Sequence, residues 1–142
     1  MAYSASATTT INSSASAVWD ALTNLDAVKE YFFGTKMDTD WTIGSPIYFR
    51  GSWEGKDYKD KGTVLEFNPE HDLSYTYWSS MGGKPDVPEN YMTVRYIVEP
   101  EGDATRVTID QSNVSSQEAS DHSAENWKGV LAGMKKYVEG GA

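Results

Sequence analysis

The sequence predicts an α+β fold in which a curved seven-stranded antiparallel sheet wraps around one long C-terminal helix, with two short helices after the first strand. Three observations predict it. Short stretches that alternate apolar and polar residues follow one another through the middle of the chain, each closed by a turn signal, as the strands of an antiparallel meander do. An apolar stripe at helical spacing closes the chain. With 142 residues, the chain has the size of one domain, 1–142, able to bury roughly 68–70% of its unfolded surface without a disulfide or metal staple.

Tyr3 to Ile11 is rich in Thr and Ser and reads as the first strand. Ser13 or Ser14 offers an N-cap oxygen to a short helix in which Val18, Leu22 and Leu25 share a face, with Trp19 beside them. A second helical piece is expected from Asp26 to Phe33, stopping at Gly34. The period then changes to two. Ile47, Phe49, Gly51 and Trp53 fall on one face, with Tyr48, Arg50 and Ser52 on the other. Thr63, Leu65 and Phe67 continue the alternation until Asn68-Pro69-Glu70 breaks it. Leu73, Tyr75 and Tyr77 form the next strand and residues 81–90 a loop. Met92, Val94, Tyr96 and Val98 then alternate up to the hairpin turn Glu101-Gly102-Asp103, and Thr105, Val107 and Ile109 form the last strand. From about Ser120 to Val138 the spacing is helical: Trp127, Leu131, Met134 and Val138 stand at i, i+4, i+7 and i+11, while Lys128, Lys135 and Lys136 lie off the stripe. Burying Trp127, Leu131 and Met134 contributes roughly 1.5–3 kcal/mol each.

Charge and composition exclude several functions. Twelve basic against twenty-one acidic residues leave a net charge of −9, which repels phosphate backbones, and no Lys/Arg stripe reverses it locally. No nucleic-acid partner and no membrane partner are expected. There is no cysteine, hence no thiolate chemistry and no Cys-based zinc site. His71 and His122 have no carboxylate or histidine four residues on and read as surface residues; Asp38, Asp40, Asp57 and Asp60 read as solvated turns without EF-hand spacing. The sequence contains no dinucleotide fingerprint, P-loop or nucleophile elbow. No metal and no cofactor are therefore expected. Met1-Ala2-Tyr3-Ser4 lacks a basic region followed by an apolar one, and no run is long enough to span a bilayer. The cytoplasm is the expected compartment.

A small-molecule site is expected between helix and sheet. Phe49, Trp53, Tyr75, Tyr77 and Tyr96 bring much aromatic volume to the sheet, and buried Tyr hydroxyls need partners. Facing them would be Trp127, Val130, Leu131 and Met134, with Gly129, Ala132 and Gly133 as small residues that keep room. Glycine costs about 0.8–1.0 kcal/mol relative to Ala inside a helix. A dry cavity of about 300 Å³ would cost about 7 kcal/mol at about 24 cal/mol per Å³, much of a domain's stability of about 5–15 kcal/mol. A large space must therefore be wet or occupied. Glu66 and Arg95 would be polar anchors if a one-residue slip turned them inward.

Three motifs bear on family. Ala17-Val18-Trp19-Asp20-Ala21-Leu22-Thr23 resembles the VWxALT opening of the START-like (SRPBCC) superfamily. Gly62-Thr63-Val64-Leu65-Glu66-Phe67-Asn68-Pro69 followed by Leu73-Ser74-Tyr75-Thr76-Tyr77 is similar to its GxVLExxPxxxLxYTW element, and Asn126-Trp127 with Leu131 and Met134 to its closing GWxxxLxxL helix. Together they resemble the branch named for the activator of heat-shock-protein-90 ATPase homologue (AHSA-type). The resemblance implies the helix-grip order: strand, two short helices, six strands, long helix. Asn126 replaces the family's Gly and Tyr77 its usual Trp, at two positions expected to border the pocket. The first functional expectation is binding of a small apolar or amphipathic molecule without catalysis. The alternatives are a cyclase-like enzyme acting on a polyketide-type or other apolar substrate, where positioning can do most of the work, and a chaperone-associated interaction module. The chaperone activator's additional N-terminal domain has no counterpart in this sequence.

Overall fold

The computed structural model describes residues 3–25, 27–28, 35–53, 55–78, 85–114 and 116–140, with the backbone alone at 52, 53 and 56. Among them run seven strands: β1 (Tyr3–Ile11), β2 (Lys36–Asp38), β3 (Pro46–Trp53), β4 (Lys56–Asn68), β5 (Asp72–Tyr77), β6 (Met92–Glu101) and β7 (Ala104–Val114). Two helices accompany them, α1 (Ala15–Thr23) and α2 (Gln117–Glu139), and a single 3₁₀ turn at Pro88–Asn90 precedes β6. The sheet order is β1-β7-β6-β5-β4-β3-β2, and every neighbouring pair is antiparallel. This is the expected helix-grip architecture.

Ser14 caps α1, its Oγ accepting from the Ala17 N–H at 3.2 Å, and Val18, Trp19, Ala21 and Leu22 are buried. Of the second short helix, expected over 26–33, most lies outside the described residues. Within them, the Asn24 carbonyl accepts the N–H groups of Ala27 and Val28. β2 supplies the seventh strand with one buried residue, Met37, between exposed Lys36 and Asp38.

The helix α2 begins at Gln117 rather than near Ser120, because Ser116 is already in extended backbone and caps the Ala119 N–H at 3.1 Å. Its buried residues are Ser120, Trp127, Val130, Leu131 and Met134. The helix packs against β1, whose inner residues Ala5, Ala7 and Ile11 are buried. Because β1 is an edge strand, its backbone would otherwise invite a further strand. The helix occupies that edge chemically: the Ser120 hydroxyl donates to the Ser4 carbonyl, Lys135 Nζ donates to the Thr10 carbonyl at 2.6 Å, and the Asn12 N–H donates to Glu139 Oε2 at 2.7 Å. Those contacts, the Asn12 N–H first and Lys135 after it, hold the Glu139 carboxyl below its ordinary range.

The expected phase of β4 is corrected by a bulge. Val64 pairs with Tyr75, but the next pair is Glu66 with Ser74, so two residues of β4 span one of β5. Val64 is therefore fully buried while Leu65 and Thr63 are exposed, and the inner phase resumes at Phe67, which packs against the core. Glu66 and Arg95 both lie on the outer face. Arg95 pairs there with Asp72, whose carboxyl is lowered first by that hydrogen bond and then by the one from Asn68.

Part of the aromatic content packs away from α2. Trp19 and Trp41 sandwich Phe67 at ring-centroid distances of 5.4 and 5.7 Å, and Trp41 Nε1 donates to the Thr23 carbonyl at 3.0 Å. This holds Trp41 at φ +60°, a conformation that a bulky residue keeps only when its surroundings fix it. Among the described residues no helix is long and apolar enough to cross a membrane.

Candidate functional site

The inner face of the sheet carries a run of five aromatic rings ending at α2. Tyr77 and Phe49 meet edge-on at 5.3 Å and 75°, Phe49 and Tyr75 at 5.4 Å, Tyr75 and Tyr96 at 5.9 Å, and Tyr96 and Trp127 edge-on at 6.1 Å and 79°. Phe49 belongs to β3 while Tyr75 and Tyr77 belong to β5, so these rings meet across β4. Tilted and edge-to-face contacts of this kind are the favourable ones for aromatic quadrupoles.

Three polar stations punctuate the rings. In the middle, the Tyr75 and Tyr96 hydroxyls share a hydrogen bond of 3.0 Å. Burial, and then the neighbouring Tyr75, push the Tyr96 phenol well above its ordinary value, so it is protonated at neutral pH. At one end, the Tyr77 hydroxyl donates to Asp60 Oδ2 at 2.6 Å. At the other, Trp127 Nε1 donates to Gln111 Oε1 at 2.9 Å, and Gln111 Nε2 in turn donates to Met92 Sδ at 3.1 Å. Beside the Asp60 end, the Tyr58 hydroxyl meets Thr35 Oγ1 at 2.6 Å.

Of the residues expected at the site, Phe49, Tyr75, Tyr96, Trp127, Val130, Leu131 and Met134 are buried in one cluster, and half-buried Tyr77 packs against it. The Trp53 side chain lies outside the described residues. Three expectations are corrected. Asp60 is not a solvated turn residue: it is only 5% exposed and shares the inner phase of β4 with Gly62 and Val64, which is the signal that could have placed it. Asn126 is exposed rather than bordering the site, because it falls outside the helical stripe that carries Trp127 and Leu131. Gly129 and Ala132 are also exposed, so they make no room against the sheet; of the small helix residues only Gly133 is half-buried. Gln111 and Met92 were not expected, and in sequence each is one residue of an alternating strand. His71 and His122 are both exposed.

The position of Gly129 gives a direct expectation. With its surface in solvent, Gly129→Ala removes a glycine from a helix interior, so the variant should gain about 0.5–1 kcal/mol. Urea melts of the two proteins would measure it. No gain, or a loss, would mean that this surface of α2 is covered in the folded protein.

Comparison with known proteins agrees with the geometry. The family model described as Activator of Hsp90 ATPase homolog 1-like protein matches residues 12–139. The chain belongs to that family, as the motifs at 17–23, 62–77 and 126–134 imply. The solution structure of ChR145 from Cytophaga hutchinsonii is 40% identical over 97% of this chain and 94% of its own, with a TM-score of 0.84. CalU16 from Micromonospora echinospora shares the fold at 18% identity, 96% and 76% coverage and a TM-score of 0.77. So does the Aha1 dimer from Colwellia psychrerythraea, at 17% identity, 96% coverage of each chain and a TM-score of 0.75. Among curated proteins no significant match is found.

Proposed function

We propose that the face shared by the sheet and α2 binds a small amphipathic molecule, with Phe49, Tyr75, Tyr77, Tyr96, Trp127, Val130, Leu131 and Met134 as the lining. The observation that carries this reading is the alternation of aromatic surface with polar stations over one face of the sheet: carboxylate and phenol, paired phenols, then amide and indole. A core built only for stability gains little from such groups, since each buried polar atom must be satisfied at its own cost. A site for an amphipathic molecule needs mostly apolar walls and a few fixed polar groups. Half-buried Tyr77 and Met92, cross-strand partners at one end of β5 and β6, give this face an approach from solvent.

The direct test is fluorescence titration with the neutral apolar dye N-phenyl-1-naphthylamine, alongside native mass spectrometry of freshly purified protein. Saturable dye binding is expected, weakened at least tenfold in Tyr77→Ala while the thermal melt stays cooperative. If the wild-type protein neither takes up the dye nor carries a retained molecule, the rings are plain core and the reading fails.

A further inference from the structure

Resting on that reading, we infer that the bound molecule carries an organic ammonium group, held by the Asp60 carboxylate against the rings of Phe49 and Tyr77. Asp60 is the one buried carboxylate among the described residues. Register fixes its surroundings. It stands directly across from Phe49 in the β3–β4 ladder, where opposed side chains lie close together. The Tyr77 hydroxyl that bonds it belongs to a ring that packs edge-on against that same Phe49. Phe49 is in turn packed against Tyr75 at 5.4 Å. Anion and aromatic rings thus converge on one spot from three strands, β3, β4 and β5.

That combination has a specific chemistry. Aromatic faces attract a cation through the ring quadrupole, most strongly where water is excluded, and a carboxylate supplies the opposite charge for a charge-assisted hydrogen bond. A carboxylate-headed amphiphile, such as a fatty acid, would meet Asp60 with like charge, and the chain's net charge of −9 opposes anions further out. A neutral alcohol gains only an ordinary hydrogen bond. A buried charge is weak support for stability, since an apolar residue of similar size often serves as well, so its placement beside the aromatic wall points to recognition.

The test uses three probes that share one ring system and differ in head group: 2-(aminomethyl)naphthalene, 2-naphthalenemethanol and 2-naphthoate, each displacing N-phenyl-1-naphthylamine. Wild-type protein should bind the amine at least tenfold more tightly than the alcohol, and the naphthoate most weakly. In Asp60→Asn the amine and alcohol should become equal. Tyr77→Phe keeps the carboxylate and should keep the amine preference, which decides the matter if Asp60→Asn does not fold. Equal binding of the three by wild type, persistence of the preference in Asp60→Asn, or its loss in Tyr77→Phe would overturn the inference. So would dye binding that no probe displaces. Absence of dye binding altogether would instead defeat the broader ligand reading.

Discussion

Gly62→Ala should destabilise the protein by about 3 kcal/mol or more, at the upper end of what overpacking costs. A methyl group at this position would stand 2.5 Å from the Thr76 carbonyl carbon, closer still to its oxygen, and 3.2 Å from Thr76 Oγ1. The obstacle is backbone, so no rotamer change relieves it. β5 must move away from β4, and with it goes the 2.8 Å hydrogen bond from the Thr63 N–H to Thr76 Oγ1. The same shift would part Phe49 from Tyr75 and Tyr77, whose rings meet over this stretch of β4. Gly51→Ala is the informative contrast. Its new methyl would meet the far end of the Tyr58 ring, with Cζ at 2.6 Å, and a side chain can swing aside at the expense of its 2.6 Å hydrogen bond to Thr35. That variant should lose about 1–2 kcal/mol. Denaturant midpoints, with the m-value held in view, rank the two. A Gly62→Ala protein as stable as wild type would mean that β4 and β5 do not approach as closely as described.

The two largest features of the fold were legible because they rest on period. β3, β6 and β7 show clean alternation, and α2 shows a helical stripe, since each buries one face and wets the other; β5 alternates in sequence, although Ser74 on its second face is buried as well. What the sequence concealed is local. β2 is three residues long, too short to carry a pattern, and its existence is fixed by pairing with β3. The bulge in β4 breaks the period at Leu65, where the local sequence alone reads as unbroken alternation. In the site the rings were legible by phase, because aromatic residues at alternate positions must point one way. The polar stations were not. An Asp between Lys residues, as in Lys59-Asp60-Lys61, looks like a wet turn until its parity with Gly62 and Val64 is followed along the strand. Gly129 misled in the opposite sense: a glycine in a helix suggests close packing, but its angle about α2 puts it in solvent.

The second large effect concerns Trp127, where helix and sheet are joined by both packing and hydrogen bonding. Its ring is the α2 end of the aromatic run, edge-on to Tyr96, and its indole N–H is the donor to Gln111 Oε1. Gln111 is itself buried at 5% exposure. Trp127→Ala should cost about 3–5 kcal/mol, since it both empties a large volume and strips the amide of its donor. Trp127→Phe separates the two contributions: much of the apolar volume stays, and the cost should fall to about 1–3 kcal/mol, mainly the loss of the indole donor to Gln111. Gln111→Leu should cost a similar amount, because it leaves the indole N–H buried without that acceptor. The double variant Trp127→Phe/Gln111→Leu removes both partners together, and replacing a pair costs less than orphaning either member. Its loss should therefore be smaller than the sum of the two single losses by about 0.5–3 kcal/mol, the coupling expected for residues in contact. Chemical denaturation of the four proteins closes this cycle. Strict additivity would show that the indole and the amide do not bond in solution, and that α2 is held to the sheet here by ring packing alone.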